Sequence, residues 1–173
     1  SSPRTARRGM FMAEAGMALA IVTTLLDQEI VSLEWILIGL VIGSIAGYVM
    51  AVLTPMTAMP QRTALSHAFG ALAAALVGVT KYYTGHVKPD DHGIMIAIGL
   101  EVLLGALTFT GSMIAFGKLQ GTLPGAPIQY KGQNLINFAI IAALVGSFGY
   151  LVYNPGASML FYVLAGVSLV FGV

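Results

Sequence analysis

Three ionisable side chains, Glu14, His67 and Glu101, stand inside long apolar runs of this 173-residue sequence. A charge held at bilayer depth costs at least about 2.5–3.5 kcal/mol, so a group retained there is a candidate for function. His67, Ala71, Ala74 and Gly78 follow the i, i+4, i+7, i+11 spacing of one helical face. That face is small, which invites a neighbouring helix and would turn His67 towards the interior of a bundle. Histidine ordinarily titrates near neutral pH, so it can take up and release protons under cellular conditions. Glu101, Gly105, Thr108 and Ser112 share a second face, a polar stripe from near mid-membrane towards one surface. An imidazole, hydroxyls and a carboxyl are the parts of a proton or ion relay. The same groups also serve plain structure, each through a single hydrogen bond between helices. His67 and Glu101 stand at different depths, so they bond directly only if their helices are staggered; otherwise water bridges them. Glu14 lies one turn into its run beside Arg7 and Arg8, where an interfacial ion pair accounts for it. His86 and His92, with Asp90 and Asp91, form either a loose metal site or, the expected reading, a solvated loop.

These residues need a membrane fold to position them. Hydrophobic residues make up 57% of the chain and charged residues 9%, with a mean hydropathy of +0.87. Soluble domains carry about 25% charged residues, so lipid must be part of this chain's solvent. A soluble enzyme and a disordered chain are excluded. A net charge of +1 leaves no electrostatic footprint for nucleic acid. The absence of cysteine excludes disulfides, iron–sulfur clusters and thiolate zinc sites. No G-x-G-x-x-G, Walker or CxxCH pattern occurs, so the chain is expected to hold neither nucleotide nor haem, and no metal or catalytic residue of its own is assigned.

A spanning helix takes about 20 residues. Apolar runs at 10–26, 35–53, 61–80, 93–117, 135–153 and 158–173 predict an all-α, polytopic bundle of about six transmembrane helices in a single domain, without a soluble nucleotide domain. The runs do not alternate polar and apolar residues, which excludes strands of a membrane barrel. Asp27-Gln28-Glu29, Thr54-Pro55, the Lys81–His92 segment with Pro89, the Lys118–Asn134 segment with Pro124 and Pro127, and Asn154-Pro155-Gly156 carry the breaks. The last run ends with the chain, as though the sequence were a piece of a longer one. Arg4, Arg7, Arg8, Arg62, Lys118 and Lys131 fall on one side of this arrangement, and Lys81 and Lys88 on the other. The positive-inside rule then puts the N-terminus on the cytoplasmic or matrix side. Gly39, Gly43 and Gly47, spaced by four, are expected to pack another helix. No repeat links the first three runs to the last three, so an inverted-repeat transporter gains no support.

Several blocks resemble the membrane domain of the beta subunit of proton-translocating nicotinamide nucleotide transhydrogenases. They are Ala6-Arg7-Arg8-Gly9 with Ala15-Gly16-Met17-Ala18, Met56-Thr57-Ala58-Met59-Pro60-Gln61, and Leu65-Ser66-His67-Ala68-Phe69-Gly70 with Leu72-Ala73-Ala74. Thr108-Phe109-Thr110-Gly111-Ser112 with Ala115-Phe116-Gly117-Lys118-Leu119-Gln120-Gly121, and Leu169-Val170-Phe171-Gly172, complete the likeness. It covers nearly the whole chain, in order and at similar spacing. The resemblance implies an enzyme complex that transfers hydride between NAD(H) and NADP(H) in soluble domains and couples this to proton movement through the membrane. It implies His67 as the membrane histidine that takes part in proton transfer, with Ser112 lining the same path. It implies partners as well: the lipid bilayer, further beta-subunit helices, an NADP(H)-binding domain, an alpha subunit binding NAD(H), and a dimer of the whole enzyme. The implied location is the bacterial or mitochondrial inner membrane. Carboxylates that many relatives carry in the Met-Thr-x-Met-Pro-x loop are replaced here by Ala58 and Gln61, and the glutamate of the fourth of these helices stands about one turn earlier in relatives than Glu101. A stand-alone proton-coupled transporter or channel, and a structural helical subunit, are the alternative readings of the residues.

Overall fold

The computed structural model describes residues 3–26, 33–84, 91–126, 129 and 131–172. Asp27, Gln28, Glu29, His86, Lys88, Pro89, Asp90 and Pro127 lie outside the described residues. The described chain is helical and has no strand. In order it forms α1 (Pro3–Leu25), α2 (Leu33–Leu53), a 3₁₀ turn (Met56–Ala58), α3 (Met59–Tyr83), α4 (His92–Leu119), α5 (Gln133–Tyr153) and α6 (Ser158–Phe171). The first five α-helices are long and apolar enough to cross a membrane. The fourteen-residue α6 is about 21 Å long at 1.5 Å per residue, short of a full bilayer crossing.

Local chemistry explains the boundaries. α1 begins seven residues before the apolar run, because Arg7 and Arg8 are good helix formers that extend the helix beyond its apolar stretch. Pro60 occupies the first turn of α3, where its missing N–H costs nothing. Asp91 caps α4 by accepting from the Ile94 N–H at 3.3 Å. Gly121 and Gly132 take φ of 74° and 84°, left-handed values that suit glycine, at the exit of α4 and the entry of α5.

The chain divides into two compact units, Ser1–Leu53 and Thr54–Val173. In the first, almost every described residue of α1 and α2 is exposed, and the two helices line a groove of about 580 Å³ along Ala20, Ile21, Thr24 and Leu25 on one side and Ile36, Leu40, Gly43 and Ser44 on the other. The glycine stripe on α2 was expected to pack a helix. Among the described residues, a Cβ built on Gly39, Gly43 or Gly47 meets nothing within 4 Å.

In the second unit α4 is the central helix. α3 packs along it as an antiparallel partner, and α5 and α6 lie against it. Met95, Ile98 and Val102 of α4, Leu144, Leu151 and Val152 of α5, and Phe161 and Leu164 of α6 form one buried apolar cluster. The cluster gathers the start of α4, the end of α5 and the start of α6. Aromatic groups close this end: Tyr82 stacks on Phe161 with ring centroids 3.9 Å apart, and its hydroxyl donates to the Pro155 carbonyl at 2.7 Å. The close approaches here belong to other glycines than the α2 stripe. A Cβ on Gly99 would collide with the Phe148 ring, and one on Gly172 with Thr110 Oγ1 and the Leu107 carbonyl.

Candidate functional site

The α3–α4 hairpin carries every residue assigned above to a proton path, so its register decides what meets what. Three contacts fix that register. Gln61 Nε2 donates to the Leu119 carbonyl at 2.8 Å. A Cβ on Gly105 would lie 2.8 Å from both the Ala71 carbonyl oxygen and the Ala75 amide nitrogen. A Cβ on Gly78 would lie 2.8 Å from Val102 Cγ2 and 3.2 Å from Glu101 Cβ. Interpolating, His67 stands at the level of Ser112, and Glu101 at the level of Gly78. Eleven residues of α3 separate those two levels, about 16 Å at 1.5 Å per residue. A direct His67–Glu101 hydrogen bond is therefore excluded in this arrangement.

The packed face of α3 is also turned from the expected one. Ala68, Ala75 and Gly78 are its buried residues, whereas His67 and Ala74 are exposed. Ala71 and Gly78 of the expected face do meet α4, at Gly105 and Val102; Ala68 and Ala75, further round the helix, are buried with them, and His67 and Ala74 sit at the edge of the contact. His67 instead lines a groove of about 510 Å³ between the two helices. Its walls are Thr63, Ser66, His67, Gly70, Ala71 and Ala74 from α3, with Leu104, Gly105 and Thr108 from α4. A water molecule takes about 30 Å³ in the liquid, so the groove has room for a file of them.

His67 and Thr108 thus line one groove. Glu101 lies beyond the groove's inner end, past the close contact at Gly105. Its Oε2 is buried and has no hydrogen-bond partner among the described residues. A buried polar atom left unpaired costs about 1–3 kcal/mol. Ser112, half-buried, is not among the groove's walls. Thr63 and Ser66 were missed as candidates, although the spacing 63, 67, 70, 74 marks one helical face. The Thr63 hydroxyl donates to the Met59 carbonyl at 3.0 Å, which leaves its oxygen able to accept.

The remaining candidates are accounted for individually. Glu14 is exposed on α1. The His92 ring donates through Nδ1 to the Val152 carbonyl at 3.0 Å and lies 5.4 Å from the Tyr153 ring, tying the start of α4 to the end of α5. Asp91 serves as the α4 cap. No group of three metal-ligating side chains occurs among the described residues. Neither described groove suits a dinucleotide. Both run along helix flanks, where backbone N–H groups are consumed within the helices, and neither is lined by arginine or lysine.

The chain matches the family described as NAD(P) transhydrogenase beta subunit over residues 1–173. NAD(P) transhydrogenase subunit beta of Rhodospirillum rubrum is 39% identical over 140 residues, which cover 78% of this chain and 30% of that protein. The subunit of the same name from R. rubrum strain ATCC 11170 matches with the same identity and coverage. The chain therefore spans less than a third of the length of these relatives.

Proposed function

Because the chain belongs to the NAD(P) transhydrogenase beta-subunit family, we propose that it is the proton-conducting membrane part of an enzyme that couples hydride transfer between NAD(H) and NADP(H) to proton translocation. The observation that supports this reading is the groove that His67 lines together with Thr63, Ser66 and Thr108. Hydride transfer is assigned in this reading to nucleotides held by partner domains. The part of this chain is to take up a proton at the His67 ring, hold it, and release it.

In this scheme the hydroxyl oxygens orient water towards the ring, as both donors and acceptors. The state of the partner domains biases which side His67 exchanges with, and such gating needs two conformations that the partners stabilise unequally. Glu101 is a second protonatable station at another depth, and Ser112 flanks His67 at its own level. The partners are the bilayer, further helices of the same subunit, the NADP(H)-binding domain, an alpha subunit with the NAD(H)-binding domain, and a second copy of the enzyme. The membrane is a bacterial or mitochondrial inner membrane, with the N-terminus of this chain on the cytoplasmic or matrix side. Family membership disfavours a stand-alone transporter or channel and a purely structural bundle.

The test is His67→Ala in the complete enzyme reconstituted in sealed vesicles. Proton pumping coupled to NAD(H)–NADP(H) exchange is expected to disappear while the complex still assembles. Normal coupled pumping by the variant would overturn the assignment.

A further inference from the structure

We propose that Glu101 exchanges its proton with the membrane surface opposite to the one that serves His67. The proposal rests on the reading of His67 as the proton carrier. It follows from where the bilayer lies on the α3–α4 hairpin and from the opposite directions of the two helices.

Two markers place the bilayer. The first is a belt of tyrosines: Tyr83 of α3, Tyr150 of α5 and Tyr162 of α6 are 49%, 56% and 59% exposed. They share one level. Gly78 faces Glu101 and Val102, so Tyr83, five residues on, stands near Ile96. Phe148 faces Gly99 and the Val152 carbonyl meets His92, so Tyr150 stands between those levels. Tyr162 follows Phe161, which stacks on Tyr82, and its ring lies 5.8 Å from that of Tyr83. Exposed tyrosines at one level of a bundle suit the headgroup layer, where the ring meets hydrocarbon and the hydroxyl meets water. The second marker is the pair of cations Arg62 and Lys118, side by side at the end of the hairpin where Gln61 meets Leu119. From Arg62 to Tyr83 is 21 residues, about 32 Å of helix, against a hydrocarbon core of about 30 Å. Their separation fits one bilayer.

This frame fixes the depths. His67 is five residues from Arg62, and Gly78, at the level of Glu101, is five residues from Tyr83. Each group thus lies about 7–8 Å inside its own surface by helical rise. Glu101 is shallower than the near mid-membrane position expected from its run. The Cα–Cβ bonds of a helix tilt towards its N-terminus. α3 starts at the Arg62 surface and α4 at the tyrosine surface, so His67 leans to the first and Glu101 to the second. The close contacts of Gly105 with Ala71 and Ala75 lie between them. Glu101 Oε2 is buried without a partner among the described residues, and water from the nearer surface can supply one. One turn towards that surface, Ala97 is small and exposed. On α3 the nearest ionisable groups are Lys81 and Tyr82, one turn beyond Gly78 towards the same surface; on α4 it is His92; α5 and α6 bring tyrosines alone. The step is loss of the carboxyl proton to water, leaving a carboxylate, and its reverse.

The experiment uses the complete enzyme, at rest, in sealed vesicles of uniform orientation. The infrared carbonyl band of protonated Glu101, identified by its loss in Glu101→Gln, is followed while pH is stepped on one side only. The band is expected to respond to steps on the tyrosine side and to lose that response when the step is made on the Arg62 side. Thiol labelling gives a second readout, since this chain has no cysteine of its own and labelled peptides are told apart by mass spectrometry. A membrane-impermeant thiol reagent should label Glu101→Cys from the side that labels Thr84→Cys, and Ser66→Cys, in the His67 groove, from the side that labels Gly125→Cys. A Glu101 band that follows the Arg62 side, both sides equally or neither side would overturn the proposal. So would a Glu101→Cys protein labelled from the same side as Ser66→Cys, or from neither. Normal pumping by His67→Ala would remove the proton-carrier reading of His67, while the one-sided response of Glu101 would still decide where its proton goes.

Discussion

Gly105→Ala should destabilise the α3–α4 hairpin, while Gly70→Ala, on the facing helix, should not. The added methyl at Gly105 would sit 2.8 Å from the Ala71 carbonyl oxygen, 2.8 Å from the Ala75 nitrogen and 3.0 Å from Ala75 Cβ. Two of these neighbours are backbone and cannot rotate away. The helices must part by roughly 0.6 Å to restore ordinary contact. Overpacking of a tight core costs about 1–3 kcal/mol, and unyielding neighbours put this site at the upper end. Replacing glycine with alanine inside a helix recovers roughly 0.5–1 kcal/mol. The net loss is then about 2 kcal/mol, close to a thirtyfold change in the folding equilibrium. At Gly70 the methyl meets nothing within 4 Å, so only the helix term remains and the variant should gain roughly 0.5–1 kcal/mol. The assay is reversible unfolding of the purified protein in mixed micelles with a graded denaturing detergent, followed by circular dichroism. A Gly105→Ala protein as stable as the parent, or a Gly70→Ala protein as damaged as Gly105→Ala, would refute the register and the packing derived from it.

Two further outcomes follow from the same unit. Tyr82→Phe keeps the stack on Phe161 and removes the 2.7 Å hydrogen bond to the Pro155 carbonyl, so it should cost about 0.5–1.5 kcal/mol in the same unfolding assay, whereas Tyr82→Ala should cost distinctly more. Glu101→Leu removes a buried carboxyl oxygen that has no partner among the described residues; it should leave the fold equal to or up to about 3 kcal/mol more stable, and slow coupled proton pumping in reconstituted vesicles.

Much of the hairpin was legible in the residues, and the part that was not has a definable physical origin. Long apolar runs announced the helices, and Thr54-Pro55 and Asn154-Pro155-Gly156 marked stops that the structure keeps, whereas Asp91, read as a loop residue, caps α4. Periodicity could group His67 with Ala71, Ala74 and Gly78, but not say which of two adjacent stripes a partner would cover. The covering helix met Ala71 and Gly78 of that group together with Ala68 and Ala75, and His67 came to the edge of a groove. Small-residue spacing likewise states a capacity for close approach without naming the approaching helix. Gly39, Gly43 and Gly47 have that spacing and stand open among the described residues, while Gly78 and Gly105 meet a facing helix. The depth relation between His67 and Glu101 depended on the register of an antiparallel pair, which intrahelical spacing does not encode. Gln61 read as the end of a turn motif, and only the position of Leu119 opposite it turned the amide into a link between helices.

Polarity and packing density are segregated along this one helix pair. At the end where α4 begins, Met95, Ile98 and Val102 join a buried apolar cluster with α5 and α6. At the end where α4 finishes, the pair opens into the groove of His67, Thr63, Ser66 and Thr108. Alongside the groove and on towards the cluster runs the seam at Ala71, Ala75, Gly78, Val102 and Gly105, where the helices approach too closely for an added methyl, let alone a water. A buried polar group without water or a partner is costly, so water belongs in the groove and not in the seam. If His67 carries protons, a proton on it in this conformation has Thr63 and Ser66 towards the start of α3, Thr108 about one turn towards Glu101, and close-packed backbone beyond. Onward transfer along the hairpin then either passes beside the seam or parts it. Small residues suit such a place, because few side-chain contacts must be broken to separate two backbones and few must be remade to close them again.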